Sequence, residues 1–353
     1  MLDLHRASSK GMGLAKTQRE TCITLAHGSG GKAMADLVAE VFVQRFDNPL
    51  LTPLNDQAVV DWAGGRLALT TDSYVVDPLF FPGSDIGALA VNGTVNDLAV
   101  GGATPLYLTC GFILEEGLPL ETLQRVVASM AQAAAAAAVQ IVTGDTKVVP
   151  RGSADKLFIN TAGVGRVPEG ISPSADRLQP GDIVLVNGFL GDHGAAITVA
   201  RADLALESPI ESDCQPLNGL VAEILAVCPQ VRAMRDATRG GLATVLNEFA
   251  HSSQVGIRLQ ESTLPVRPAV QGLCELLGLD PLYLANEGKL VVVVPPDQAE
   301  AVLAAMRAHP VGTDSQIIGE VVADPVGFVL LKTAFGSDRI LDRLVGDQLP
   351  RIC

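Results

Sequence analysis

Gly163-Val164-Gly165-Arg166-Val167-Pro168-Glu169-Gly170-Ile171-Ser172-Pro173-Ser174-Ala175-Asp176-Arg177-Leu178-Gln179-Pro180-Gly181 is dense in glycine, proline and serine and lies between two strand-like apolar runs, residues 157–161 and 182–186. That composition marks the best domain boundary in the chain. A length of 353 residues agrees with it, being about twice the size at which one core divides into two.

Upstream of the boundary, residues 58–60 and 67–70 read as strands on either side of a Gly64-Gly65 turn, a hairpin leading into Thr71-Asp72-Ser73. Ile86, Leu89, Ala90 and Gly93 recur at helical spacing, and Asp97 falls on the same face. An acid there is either a helix-end carboxylate with local hydrogen bonds or a group bound to a partner charge or a metal. Leu123, Val126, Val127 and Met130 begin another amphipathic helix, which the alanines 133–138 continue. Downstream, residues 187–194 turn into a helix, residues 239–250 carry an apolar stripe, and Leu290–Val294 reads as a buried strand followed by a helix over Ala299–Ala308. A last clear strand over 326–331 and a helix near 338–345 are expected before the tail. Mixed strands and helices in both halves, without eight even βα repeats, predict an α+β domain pair with mixed sheets and packed helices.

The chain has 25 basic and 39 acidic residues, a formal charge of −14, which disfavours nucleic acid and anionic membrane as partners. Five histidines and 4% aromatic residues leave little material for a histidine metal centre or a base-stacking surface. The cysteines, Cys22, Cys110, Cys214, Cys228, Cys274 and Cys353, include no CxxC pair, so neither a zinc finger nor a disulfide framework is expected. No apolar run is long enough to span a bilayer. Residues 1–20 read as a loose extension with no signal-peptide pattern, and the compartment expected is the cytoplasm.

Five groups can carry chemistry. His27-Gly28-Ser29-Gly30-Gly31-Lys32 precedes a helical run, so its amides can curve around phosphate oxygens, or it is a tight turn; its spacing is not that of a P-loop. Asp56, Asp72, Asp97 and Asp145 stand at or near segment ends as candidate oxygen ligands for magnesium, with Thr146 and Lys147 beside the last; each alone also suits a turn or cap. Asp236-Ala237-Thr238-Arg239-Gly240-Gly241 is a second phosphate-sized turn, in which Thr238 can cap the next helix and Arg239 can reach an anion or pair with Asp236. Glu287, in Asn286-Glu287-Gly288-Lys289, is a general base if substrate desolvates it and otherwise a turn acid. The chain ends Pro350-Arg351-Ile352-Cys353: a terminal thiol on a short arm can visit two places, as a carrier must, or its position is incidental.

Taken together, residues 27–32, 71–78, 85–102, 144–150, 236–248, 286–289 and 350–353 resemble the carbamoyl dehydratases of hydrogenase maturation. That family shares a superfamily with aminoimidazole ribonucleotide synthase, selenophosphate synthetase and thiamine monophosphate kinase, from which the Pro-Arg-Ile-Cys ending separates it. The resemblance implies an aminoimidazole-ribonucleotide-synthase-like architecture. Its parts are an ATP-binding and dimerisation domain over 21–170, an α+β domain over 175–340, and a terminal helix end with a flexible cysteine tail over 341–353.

It implies ATP and Mg2+ as cofactors, a homodimer, a HypF-like carbamoyltransferase partner and a HypC–HypD-like iron-cyano assembly complex. Cys353 would carry the carbamoyl group, ATP would phosphorylate its oxygen, and loss of phosphate would leave a thiocyanate. Asp56, Asp72, Asp97 and Asp145 would hold magnesium. Gly28, Gly30, Gly31, Lys32, Asn96, Thr146, Lys147, Arg239, Gly240 and Gly241 would line the nucleotide, Lys147 would also stabilise the transferred phosphoryl, and Glu287 and His27 would accept protons. Asn55-Asp56-Gln57 stands where relatives commonly read Asp-Asp-Ala, which leaves Asp56 as the candidate ligand there. Competing readings are a small-molecule phosphoryl or amidine synthase of the same superfamily and a non-enzymatic assembly protein.

Overall fold

The computed structural model describes residues 24–43, 45, 49–50, 52–201, 209–344, 349 and 351–353. The expected extension over 1–20, Cys22 and Pro350 lie outside them. After a short helix α1 (Lys32–Leu37), the expected hairpin forms: β1 (Ala58–Trp62) pairs antiparallel with β2 (Gly65–Tyr74), Ala58 opposite Leu69. A ribbon of β3 (Phe80–Phe81) and β4 (Ser84–Asp85) delivers the chain to α2 (Ile86–Val100), whose first amides are capped by the Asp85 carboxylate at 2.7 Å from Gly87 N and 3.1 Å from Ala88 N. Next come β5 (Thr104–Glu115), α3 (Leu120–Ala136), β6 (Gln140–Val149) and β7 (Leu157–Val167). They complete a five-stranded sheet of order β1-β2-β7-β5-β6, in which α3 bridges the parallel pair β5 and β6.

Helix α2 departs from the expected amphipathic pattern, since every residue of it except Ala88 and Asp97 is buried. A helix apolar all round must be covered all round. Leu89, Val91 and Val95 join the first domain's core, while Ala99 and Val100 pack with Leu217, Val221 and Met234 of the second. The boundary also begins later than its composition suggests, because β7 runs through Gly163 and Gly165 to Val167. A Cβ on Gly163 would stand 2.8 Å from a Leu98 methyl and 2.9 Å from one of Thr94, so this glycine lets the strand lie against α2.

The second half builds a seven-stranded sheet of order β14-β13-β10-β12-β8-β11-β9. Its strands are β8 (Ile183–Val186), β9 (Ala233–Asp236), β10 (Gly256–Gln260), β11 (Leu290–Val294), β12 (Gln316–Val322), β13 (Val329–Lys332) and β14 (Asp338–Ile340). Helices α4 (Asp192–Arg201), α5 (Asn218–Val227), α6 (Gly241–Ser253), α7 (Pro268–Leu277) and α8 (Ala299–Ala308) cover it. All five residues of β11 are buried, as its unbroken apolar run requires.

The helix expected near 338–345 is not formed among the described residues. Thr333 N donates to Ser337 O at 2.8 Å around Gly336, whose φ is +84°, and this turn folds Asp338–Ile340 back onto β13 with Leu330 opposite Ile340. Leu341 and Leu344, which follow this strand, are buried. No described helix is long and apolar enough to cross a membrane.

Candidate functional site

The terminus is seated between the domains. Val75 N donates to Cys353 O at 2.9 Å, Arg351 Nε donates to Val75 O at 2.8 Å, and an Arg351–Asp155 ion pair fastens the rim. Ile352 is buried in the first domain's core. The tail expected to be flexible therefore has a docked state, held by backbone pairing to the strand-like segment after β2 as in strand addition. Arg351 sits in the left-handed region at φ +53°.

Cys353 lines a cavity of about 220 Å3 together with Ser29, Ser73, Arg239, Gly240 and Tyr283. The two expected phosphate-sized turns thus meet. A Cβ on Gly30, at φ +77°, would stand 2.7 Å from Arg239 O, so only glycine lets the first turn lie on the second. Gly240, at φ +76°, is the N-cap of α6 and leaves its first amides unblocked by a side chain; a Cβ there would strike Thr244 Oγ1. Thr238 does not cap this helix, and instead its carbonyl accepts from Gly241 N at 2.9 Å.

Acidic groups surround this centre. Burial pushes the Cys353 thiol well above its ordinary value, against the pull of Arg239. Burial would draw the Arg239 guanidinium down, but Cys353, Asp72, Glu287 and Asp97 hold it above its usual value. Glu287 is 3% exposed, its Oε1 has no hydrogen-bond partner, and burial followed by Asp236, Asp213 and Asp72 raises its carboxyl far above the carboxylate range. Asp72 is raised chiefly by burial, and Asp97 by burial and then by Asp236, Asp72 and Asp56. Asp236 is pushed up to about 8 by burial and by Asp56 and Asp72.

Asp236 was not among the expected ligands, although an acid closing the buried strand β9 signals it. Asp213 was missed as well. It accepts from Glu287 N and Gly288 N at 3.1 Å each and from Lys289 Nζ at 3.0 Å, so it holds the Glu287 loop in place.

Several expected site residues are engaged elsewhere. Asp56 Oδ2 pairs with Arg235 Nε at 3.0 Å on the edge of a hollow of about 750 Å3 that also contains Asp236. Asn96 spends its amide on structure: Oδ1 accepts from Leu217 N at 2.7 Å and Nδ2 donates to Gln215 O at 3.2 Å and Glu287 O at 3.4 Å, which ties α2 to the Glu287 loop. Asp145 and Lys147 pair with each other at 2.7 Å on the exposed edge strand β6, with Thr146 N donating to Asp145 Oδ1. They line a hollow of about 330 Å3 that shares Ser73 and Val75 with the Cys353 cavity, so they adjoin the centre without entering it. Lys32 pairs with Asp36 on the surface because the two lie one helical turn apart. His27 is bonded to Thr24 through Nδ1 in a capping box, its ring turned to a local partner by that spacing, and it is not among the residues lining the Cys353 cavity.

Two family models match: AIR synthase related protein, N-terminal domain, over residues 54–167 and AIR synthase related protein, C-terminal domain, over residues 179–332. Together with the paired α+β domains and the acidic, glycine-lined centre between them, they define the chain as an AIR-synthase-related protein. Carbamoyl dehydratase HypE of Rhodobacter capsulatus is 58% identical over 340 residues, covering 95% of this chain and 99% of the relative. A solved HypE–HypF complex contains a chain 50% identical with a TM-score of 0.83, covering 87% of this chain and 99% of that one. HypE solved in complex with ATP is 51% identical with a TM-score of 0.79, covering 93% and 99%. The chain belongs to the HypE carbamoyl dehydratase family of hydrogenase maturation.

Proposed function

We propose that the chain dehydrates a carbamoyl group carried on its own Cys353 to a thiocyanate, at the expense of ATP, to supply cyanide ligands for a nickel–iron hydrogenase. The observation that carries this reading is the seating of the C-terminal thiol in a cavity lined by Arg239, within electrostatic reach of the buried Glu287 carboxyl, whose Oε1 has no hydrogen-bond partner. The family of ATP-bound and dehydratase-named relatives supports it.

An amide oxygen leaves poorly, so the thiocarbamate oxygen first takes the terminal phosphoryl of ATP, releasing ADP. Phosphate then departs with the C–O bond while the nitrogen loses its protons, leaving S–C≡N. Arg239 offsets negative charge beside the reacting carbon. Glu287 is a strong proton acceptor once ionised, because its burial raises its affinity for a proton. Lys147, in the adjoining hollow, is the second cation for the phosphates.

The donor chemistry fits magnesium. Asp236 and Asp72 raise the proton affinity of Asp97, and Asp72 raises that of Asp236, which an oxygen-seeking dication would relieve. Among the described residues no three histidine, cysteine or acidic groups form a ready-made metal cage, so phosphate oxygens would have to complete the shell of any ion held there. Asp72 and Asp97, with Asp236, would hold it, and bound there it would neutralise phosphate charge. Asp56 and Asp145 would join only by releasing Arg235 and Lys147.

A HypF-like carbamoyltransferase is the proposed source of the carbamoyl group, a HypC–HypD-like complex the acceptor of cyanide, and the cytoplasm the compartment. A homodimer is proposed through the first sheet, where β6 exposes Val142 and Val148 beside Ile113 and Tyr107. Appending a few residues after Cys353 tests the functional reading: carbamoyl loading and ATP affinity should persist while cyano formation falls sharply, since the added chain must enter the closed cavity. Full cyano production by the extended chain would overturn the seated-terminus mechanism.

A further inference from the structure

The peptide that ends the chain has a donor for each of its last three carbonyls. Arg351 O accepts from an Arg201 guanidinium nitrogen and from Asp77 N, Ile352 O from His193, and Cys353 O from Val75 N. Of these four donors, Arg201 and His193 come from α4 of the second domain, and the Val75 and Asp77 amides from the first domain. A strand held at every carbonyl has one register, and a slip of one residue would turn its side chains to the opposite face.

His193 is the buried member of this set, with no exposed surface. Its Nε2 lies 2.8 Å from Ile352 O and its Nδ1 2.8 Å from Ser212 Oγ. A carbonyl can only accept, so Nε2 carries the proton, and in the neutral ring Nδ1 accepts from the Ser212 hydroxyl. Ser212 Oγ accepts in turn from Cys214 N at 3.1 Å. The Phe81 ring meets the imidazole edge to face at 5.4 Å, which fixes the plane of the ring. Burial also lowers the affinity of this histidine for a second proton, which preserves the neutral tautomer.

We infer that His193 is a positioning residue: from the core of the second domain it sets the register of the terminal strand and so places the Cys353 thiol, with whatever group it carries, in the cavity that Arg239 lines. The inference rests on the functional reading above for its catalytic consequence, but its structural content stands apart from that reading.

The test compares full-length wild type, His193→Phe, which keeps a ring without a donor, and His193→Gln, which restores a neutral amide donor. Iodoacetamide labelling of Cys353 is followed on the C-terminal peptide by mass, without ATP, and thiocyanate formation is followed in a single turnover after carbamoyl loading. His193→Phe should label about tenfold faster and dehydrate correspondingly more slowly, the shift expected for losing one buried hydrogen bond, while loading is undiminished. His193→Gln should recover most of both losses, which a purely space-filling role would not allow. Should His193→Phe fail to fold, Ser212→Ala keeps the ring and frees its tautomer, and it should speed labelling in the same direction. Wild-type labelling rates in His193→Phe and Ser212→Ala, or a glutamine variant as exposed as phenylalanine, would overturn the inference. Absence of dehydration in wild type beside an active control would defeat the functional reading and leave the labelling arm to judge the register.

Discussion

Lys289→Met tests whether the Glu287 loop is held by a buried ion pair. Asp213 and Lys289 pair at 3.0 Å with side chains 3% and 7% exposed, and the same carboxylate takes the Glu287 and Gly288 amides. Burial alone would raise Asp213, and Lys289 brings it below the ordinary carboxylate value. Removing the ammonium leaves an uncompensated charge, a loss of about 3–5 kcal/mol. At roughly 2–4 °C per kcal/mol for a domain of 150–250 residues, the midpoint of the second domain should fall by roughly 6–20 °C.

Calorimetry on wild type, Lys289→Met and the double variant Asp213→Asn with Lys289→Met is the assay. The double variant should recover much of the loss, because it no longer buries an unpaired charge. Dehydration should fall in the single variant while carbamoyl loading persists. A single-variant midpoint within about 2 °C of wild type, or a double variant no more stable than the single, would refute the reasoning.

Asp72→Asn and Asp97→Asn should each weaken magnesium–ATP binding roughly 10–100-fold, the loss of one charge-assisted contact, as measured by calorimetric titration. Because Asp97 is raised by burial and by its acidic neighbours, Asp97→Asn should also raise the melting midpoint of the ligand-free protein above pH 7, where wild type must confine repelling charges. His193 gives a pH signature. Its folded value is lowered by burial, so between that value and about 6.5 the unfolded chain binds a proton that the native chain does not. Stability from this group is full above about pH 6.5 and falls with pH by up to about 1.4 kcal/mol per unit, a slope that urea titrations should find missing in His193→Gln.

Where the sequence was legible, it was because a residue type had one physical use. The hairpin at Gly64-Gly65, the unbroken apolar run Leu290–Val294 and the helix Ala299–Ala308 follow from turn chemistry and period. The glycine segments were legible as tight, phosphate-sized turns, and their meeting at Gly30 and Arg239 was not, since tertiary packing alone brings them together. Gly163 and Gly165 mimic a linker because strand packing and chain flexibility both call for a missing side chain. The segment near 338–345 was expected to be helical, yet the turn at Gly336 sends its start into an edge strand. Asp213 and His193 gave no signal, because their partners lie far away in sequence, at Lys289 and Ile352.

The central claim, that Cys353 is both carrier and reacting centre, is tested most directly by intact mass. The protein is incubated with carbamoyl phosphate, ATP and the carbamoyltransferase, and the C-terminal peptide is then resolved. Cys353 should gain one carbamoyl group, and that adduct should then lose one water only when ATP is present, with neither change in Cys353→Ser. An unmodified Cys353, or a carbamoyl adduct that never loses water while an authentic dehydratase turns over alongside, would contradict it.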